Sequence, residues 1–320
     1  MPGKPFCYAV ALHTRFRGIT QRQGMVWRGA AGWGEWSPFL DYAGSELVPW
    51  LRAADEAAEH GWPAPLRTEI AVNSTVPAVG PEEAYGIARA AGCGTAKVKV
   101  AERGQALADD AARLEAVRDA LGTGGKLRID ANGGWSVDEA LPAIKQLSHF
   151  DLEYVEQPCA TVEELAELRL LLARSGLNVP IAADESIRRA EDPYQVEALE
   201  AADIAVLKVQ PLGGVRACLQ IAERIGLPVV VSSALETSIG IRAGLALAAA
   251  LPELPYACGL NTVALLTDDL VTDPLLAVDG VIRLRDPVIE ESEIESHRAN
   301  NEIEQFWQAR IVQTRELAGG

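Results

Sequence analysis

Three short runs decide the fold: Lys126-Leu127-Arg128-Ile129-Asp130, Leu152-Glu153-Tyr154-Val155-Glu156 and Pro180-Ile181-Ala182-Ala183-Asp184. Each is about a strand long, apolar at its centre, and closed by a carboxylate. Working outward in both directions, similar runs recur as TEIAVN (68–73), AKVKV (96–100), IAVLKV (204–209), PVVVS (228–232) and PYACG (255–259). Lys99, Asp130, Glu156, Asp184 and Lys208 follow one another at intervals of 31, 26, 28 and 24 residues. A strand, a helix and two loops need roughly 25. The pattern predicts βα units and a parallel sheet. Eight such strands with outer helices most economically close into a (β/α)-barrel, an open doubly wound sheet being the alternative.

The segments between these runs carry helix punctuation. Ser136 with Glu139 and Thr161 with Glu164 have capping-box spacing, while Gly176 and Gly226 stand where a left-handed residue ends a helix. Leu107, Leu114, Val117 and Leu121 form one apolar stripe at helical spacing. Gly213-Gly214 lacks the rest of a P-loop or dinucleotide fingerprint and reads as a turn.

Both ends of the chain read differently. Residues 1–65 are β-rich around Trp27, Trp33 and Trp36, read as core aromatics, followed by a helix over 45–60. Beyond Asp268 a hairpin is expected at 277–286, then a helix in the acidic stretch 290–310 with Ile294, Ile303 and Trp307 inward. The expected organisation is an α+β capping domain from residues 1–65 and 270–320, packed over a barrel at 66–269.

Composition narrows the partners. Lys and Arg number 29 against 45 Asp and Glu, a net charge of −16, which opposes phosphate-backbone binding and makes nucleic acid an unexpected partner. Five scattered cysteines without a C-x-x-C pair suggest reduced thiols and a cytoplasmic protein. The apolar start is too short for a signal h-region, and the apolar run at 243–251 falls well below the ~20 residues that span a bilayer. No membrane association is expected, and oligomeric state is not legible. The four histidines lie in no H-E-x-x-H and no G-x-S-x-G elbow occurs, so zincin and hydrolase readings lack their parts.

Asp130, Glu156 and Asp184 would meet at the C-terminal mouth of a barrel, where active sites lie. Taken singly, Asp130 is a good turn former and Asp184 a helix cap. Three together are unfavourable unless a cation joins them, and all-oxygen ligation favours Mg²⁺, with Mn²⁺ possible. Lys97 and Lys99, two apart, share a face, and Lys208 sits in an apolar strand. On an edge strand Lys97 and Lys99 would merely protect it, but a closed barrel has no edge, so they belong in its mouth. Lys99 and Lys208 then flank a carboxylate substrate from opposite sides, an arrangement suited to removing its α-proton.

The ordered set Lys97-Val98-Lys99, Asp130-Ala131-Asn132-Gly133-Gly134, Glu156-Gln157-Pro158, Asp184-Glu185-Ser186 and Lys208-Val209-Gln210, with Gly32-Trp33-Gly34-Glu35 ahead of it, resembles the muconate-lactonizing-enzyme subgroup of the enolase superfamily. The resemblance covers almost the whole chain. It implies a modified (β/α)7β barrel under the cap, Asp130, Glu156 and Asp184 as Mg²⁺ ligands, and Lys99 and Lys208 as the acid/base pair. Phe16-Arg17-Gly18-Ile19-Thr20, Ser232-Ser233-Ala234-Leu235-Glu236-Thr237-Ser238 and Cys258-Gly259-Leu260-Asn261-Thr262 resemble the members that dehydrate a cyclohexadiene carboxylate. Epimerase relatives are expected to carry an Asp-x-Asp at the eighth strand, absent here. Lys97, Asn132, Glu185, Ser232 and Ser233 are expected to orient the ligands or touch substrate. A racemase or epimerase of N-acylated amino acids or dipeptides remains the alternative activity, and a non-catalytic carboxylate-binding barrel the alternative class.

Overall fold

The computed structural model describes residues 5–90 and 92–319. The chain begins with an antiparallel sheet, β1 (Phe6–Phe16), β2 (Ile19–Arg28) and β3 (Trp33–Trp36), backed by helix α1 (Leu47–Glu59). Trp27, Trp36 and Trp50 are fully buried in the core of this layer. The acidic tail joins them as two helices rather than one: α10 (Glu291–Ser296) and α11 (Asn301–Gly319), numbered with α2–α9 below. The break falls where the Asn300 side chain accepts a hydrogen bond from Ile303 N at 3.0 Å, an N-cap that starts a new helix. On α11, Trp307 meets Trp36 edge-on at 5.4 Å, and Arg310 donates to the carbonyls of Pro38, Phe39 and Tyr42. The C-terminal helix thereby holds the loop that carries Phe39.

The rest of the chain alternates strand and helix. The strands are β4 (Glu69–Ala71), β5 (Ser74–Val76), β6 (Thr95–Lys99), β7 (Lys126–Asp130), β8 (Leu152–Glu156), β9 (Ile181–Ala183), β10 (Ile204–Lys208), β11 (Val229–Ser232) and β12 (Val281–Arg283). Between them run α2 (Pro81–Ala90), α3 (Leu107–Leu121), α4 (Val137–Leu147), α5 (Val162–Arg174), α6 (Glu185–Arg188), α7 (Gln195–Ala198), α8 (Val215–Ile225) and α9 (Ser238–Ala250). β5 to β11 form one parallel sheet in chain order. Its core lies between strands and helices, with Leu114 and Val117 of α3 fully buried and Leu107 and Leu121 at its margin.

Two expected strands are altered. TEIAVN splits: β4 pairs antiparallel with β12, and the chain joins the parallel sheet only at Ser74. PYACG is reduced to two bridging residues, Cys258 beside Val72 and Gly259 beside Ser232, because Pro255 has no N–H to extend the ladder and Leu260 already turns away. That bridge still closes the ring, through Cys258 N to Ala71 O at 2.8 Å and Gly259 N to Val231 O at 2.8 Å. Gly259 has no alternative, since a Cβ there would lie 2.5 Å from Ser232 Oγ. The expected hairpin at 277–286 does turn at Asp279-Gly280, but its return strand is β12, paired with β4. Leu275 and Ile282 consequently pack in the barrel core, not with the cap.

The helix punctuation behaves as its chemistry requires. Thr161 and Glu164 bond reciprocally, while at α4 Glu139 accepts from both N and Oγ of Ser136. Gly176 and Gly226 take φ of +71° and +67°. At Gly213-Gly214 the exposed start of α8 is filled by the Glu56 carboxylate of α1, which accepts from Val215 N and Arg216 N. All five cysteines are buried, and among the described residues none forms a disulfide. Among the described residues no helix is long and apolar enough to cross a membrane.

Candidate active site

Period-two alternation puts two layers of side chains inside the barrel. Register pairs Lys97 with Arg128 and Arg128 with Tyr154, forming a floor completed by Val206 and Val230. Arg128 is fully buried there and donates to Ala257 O at 2.7 Å and Asn73 Oδ1 at 3.3 Å, lacing β7 to the closing segments. One layer nearer the mouth, register pairs Lys99 with Asp130 and Asp130 with Glu156. Asp184 follows directly on β9, and Lys208 pairs with Ser232. Lys99 on β6 and Lys208 on β10 stand four strands apart around the ring.

The three carboxylates and three lysines interlock. Lys97 Nζ lies 2.6 Å from Glu156 and 3.3 Å from Asp130, Lys99 Nζ 2.6 Å from Asp130, and Lys208 Nζ 2.6 Å from Asp184. Lys99 also donates to Asn132 Oδ1 at 2.5 Å, and Asn132 Nδ2 to Glu185 at 3.1 Å. Asn132 takes φ of +47°, a left-handed conformation that Asn tolerates better than most residues. Ser233 and Thr262 share a hydroxyl hydrogen bond at 2.6 Å, and both line the mouth with Ser232. All ten residues singled out in the sequence therefore lie at or beside one mouth.

Burial works against every charge here, and the neighbours decide the balance. Asp130 is held well below the usual carboxylate range by Lys99 and Lys97 despite its burial, and Asp184 likewise by Arg188 and Lys208. Glu156 goes the other way. Burial and the adjacent Asp130 charge push it up to about 7, although Lys97 touches it. Lys97 is raised because Glu156 and Asp130 outweigh its desolvation, whereas burial and the positive Arg188 and Lys97 lower Lys208.

Several side chains of the mouth were not found from sequence. Arg188 is 6% exposed, donates to Asp184 Oδ1 at 2.8 Å, and also bonds Glu185 and the Tyr42 hydroxyl of the cap. Its signal was available, since positions four after Asp184 and three after Glu185 share a helical face. Thr75, Phe39 and Leu235 also line the mouth. Thr75 was missed because the first strand was read as ending at Asn73. The cavity these groups enclose with their ion pairs closed is only about 30 Å³.

The donor set fits a divalent cation. Among the described residues no three His, Cys, Asp or Glu side chains already stand as a ready ligand set, because each carboxylate is engaged by a cationic side chain. Yet Glu156 Oε2 is buried with no hydrogen-bond partner among the described residues, and the raised Glu156 is what three converging carboxylates produce when only cationic side chains neutralise them. Oxygen-only donors suit Mg²⁺ or Mn²⁺.

Residues 81–288 match the family described as enolase C-terminal domain-like, and residues 7–58 the one described as enolase N-terminal domain-like. The chain belongs to the enolase superfamily. Within it, the o-succinylbenzoate synthase of Thermobifida fusca is 61% identical over 98% of this chain and 96% of its own length. Among solved structures, the muconate lactonizing enzyme from Pseudomonas fluorescens superposes with a TM-score of 0.78 over 93% of this chain and 99% of its own, at 20% identity. The dipeptide epimerase from Enterococcus faecalis, solved with Mg and L-Leu-L-Tyr, gives 0.72 over 89% and 97%, at 22% identity. At such identities these two establish the fold alone.

Proposed function

We propose that this chain is an o-succinylbenzoate synthase: a cytoplasmic hydro-lyase that dehydrates 2-succinyl-6-hydroxy-2,4-cyclohexadiene-1-carboxylate to o-succinylbenzoate and water, the aromatising step of menaquinone biosynthesis. The observation that carries the reading is the pair of lysines on opposite walls of one mouth, Lys99 beside Asp130 and Lys208 beside Asp184, with Glu156 between them. The 61% identity to a synthase of that name supports the substrate.

In this reading Asp130, Glu156 and Asp184 hold Mg²⁺, which would stabilise negative charge on the substrate's ring carboxylate. Lys99, as the free amine, takes the proton from the carbon bearing that carboxylate. The same Nζ returns the proton to the hydroxyl leaving from the neighbouring carbon on the same face, so the ring gains a double bond and water departs. Lys208 presents a positive charge on the far wall, where charge develops. Asn132 fixes Lys99 Nζ, and Arg188 fixes the Asp184 oxygen that Lys208 does not touch.

The test follows loss of the diene chromophore with purified protein and Mg²⁺, with and without a chelator. Chelator-sensitive formation of o-succinylbenzoate is expected. Deuterium exchange at a substrate stereocentre in N-acylamino acids or dipeptides, with no turnover of the diene, would overturn the reading in favour of a racemase or epimerase.

A further inference from the structure

The turn between β1 and β2 is two residues long, Arg17-Gly18, with φ of +48° and +80°. A turn with both central residues left-handed matches the twist of a hairpin, so it projects its side chains from a rigid base. Its neighbour Phe16 lies 5.4 Å from Lys99 Nζ, and both Phe16 and Arg17 line the mouth of the barrel. The Arg17 guanidinium stacks on the Phe39 ring at 4.4 Å from its centroid. Phe39 is in turn held by Arg310 through its carbonyl.

Charge accounting sets Arg17 apart. The mouth contains Lys97, Lys99, Lys208 and Arg188 against Asp130, Glu156, Asp184 and Glu185, and every one of these cations has a carboxylate partner. Arg22, which also stacks on Phe39, already donates through Nε and Nη2 to Ser37, Ala234 and Leu235. Among the described residues, Arg17 makes no ion pair or hydrogen bond, although it faces the same cavity. A stacked guanidinium with all its N–H groups available is arranged for a planar anion, which it grips through two parallel hydrogen bonds.

The substrate of the proposed reaction has two carboxylates. The ring carboxylate belongs to the Asp130, Glu156 and Asp184 end of the site, and the chain's terminal carboxylate has no counterpart there. We infer that Arg17 binds the terminal carboxylate of the succinyl chain, with Phe39 holding the guanidinium in place, and thereby selects dicarboxylate substrates. This rests on the dehydratase reading and deepens it. Binding energy taken there holds the substrate equally in the ground and transition states, without touching the reacting atoms.

The experiment compares two ligands on three proteins at saturating Mg²⁺: o-succinylbenzoate and 2-butanoylbenzoate, which replaces the terminal carboxylate by a methyl group, titrated into wild type, Arg17→Met and Arg17→Lys. Arg17→Met should weaken o-succinylbenzoate roughly 10- to 100-fold, the usual loss for a charge-assisted contact, and leave 2-butanoylbenzoate unchanged. Arg17→Lys should recover part of the loss. In turnover, KM for the diene should rise with kcat within about threefold, as expected for loss of uniform binding. If Arg17→Met weakens both ligands equally, its role is to pack the turn, and if it weakens neither, Arg17 is a bystander. Either result overturns the inference while leaving the dehydratase reading intact. A wild type that neither dehydrates the diene nor binds its product removes both.

Discussion

The molecule buries two clusters of acids, and they are built on opposite principles. At the mouth, Asp130, Glu156 and Asp184 are each paired with a lysine, a long and flexible side chain able to leave, with Arg188 a second partner of Asp184 alone. At the seam between cap and barrel, Glu35, Glu236 and Asp269 are equally buried, yet among the described residues none of them forms an ion pair. Glu35 instead accepts from the hydroxyls of Tyr8, Ser37 and Thr237 and from Gly240 N, while Asp269 accepts from Ser238 N and Leu270 N, so both cap the start of α9. Backbone amides and hydroxyls of the fold cannot withdraw. The seam is a joint, and the mouth is a place where counter-charges can be exchanged for a cation and substrate.

The difference is broken most severely at Lys99. Lys99→Arg keeps the charge beside Asp130 but cannot act as a base near neutral pH, so turnover should fall by about 10⁴-fold and α-proton exchange should vanish with it. Retained turnover at saturating Mg²⁺ would remove Lys99 from the chemistry. Lys208→Ala should cost about 10²–10³-fold, the usual loss for one oriented electrostatic partner, with Lys208→Arg losing less. Glu156→Gln should lose a similar 10²–10³-fold and bind Mg²⁺ more weakly by calorimetry. Its unfolding midpoint should nonetheless stay level or rise, because a neutral side chain relieves repulsion among the acids. A marked fall in that midpoint would mean that the mouth is a structural joint as well.

How much of this was legible from residues alone follows from the same contrast. The mouth announces itself because period-two alternation and βα spacing place Lys99, Asp130, Glu156, Asp184 and Lys208 at successive strand ends. The seam does not. Glu35 and Glu236 are 201 residues apart in the chain, and only the docking of the cap brings β3 to the start of α9. Arg128 was passed over for a related reason: a cation in mid-strand reads as an exposed position until the closing segments 73 and 257 are known to meet it. The shortened eighth strand and the split first strand were misread because local apolar character does not reveal which neighbour a strand pairs with.

Glu35→Ala tests the joint. It strands the hydroxyls of Tyr8 and Thr237 and the amide of Gly240, donors that cost about 1–3 kcal/mol each when buried unmade, so a loss of about 3–5 kcal/mol in unfolding free energy is expected. Turnover below the new midpoint should remain within about tenfold of wild type. A large loss of turnover without loss of stability would place Glu35 with the mouth instead.

The smallest effect is the most diagnostic of how the joint is made. Glu236 is pushed up to about 7, first by burial and then by the nearby Glu35 charge. The folded protein therefore keeps its proton while the unfolded chain, near 4.5, has already lost it, so the folded state binds more protons across that interval. Stability from this group is complete below pH 4.5 and is lost as pH rises towards 7. Glu236→Gln cannot ionise and should escape the loss. At about 1.4 kcal/mol per pH unit of separation, the variant should gain on wild type by no more than about 3.5 kcal/mol. Chemical denaturation of both proteins from pH 4 to 8 measures that difference, in which the titration of every other group largely cancels. It should widen between about 4.5 and 7 and then level off. A difference that is flat across the range, or that widens as pH falls, would show Glu236 already ionised in the folded state and the joint held by charge after all.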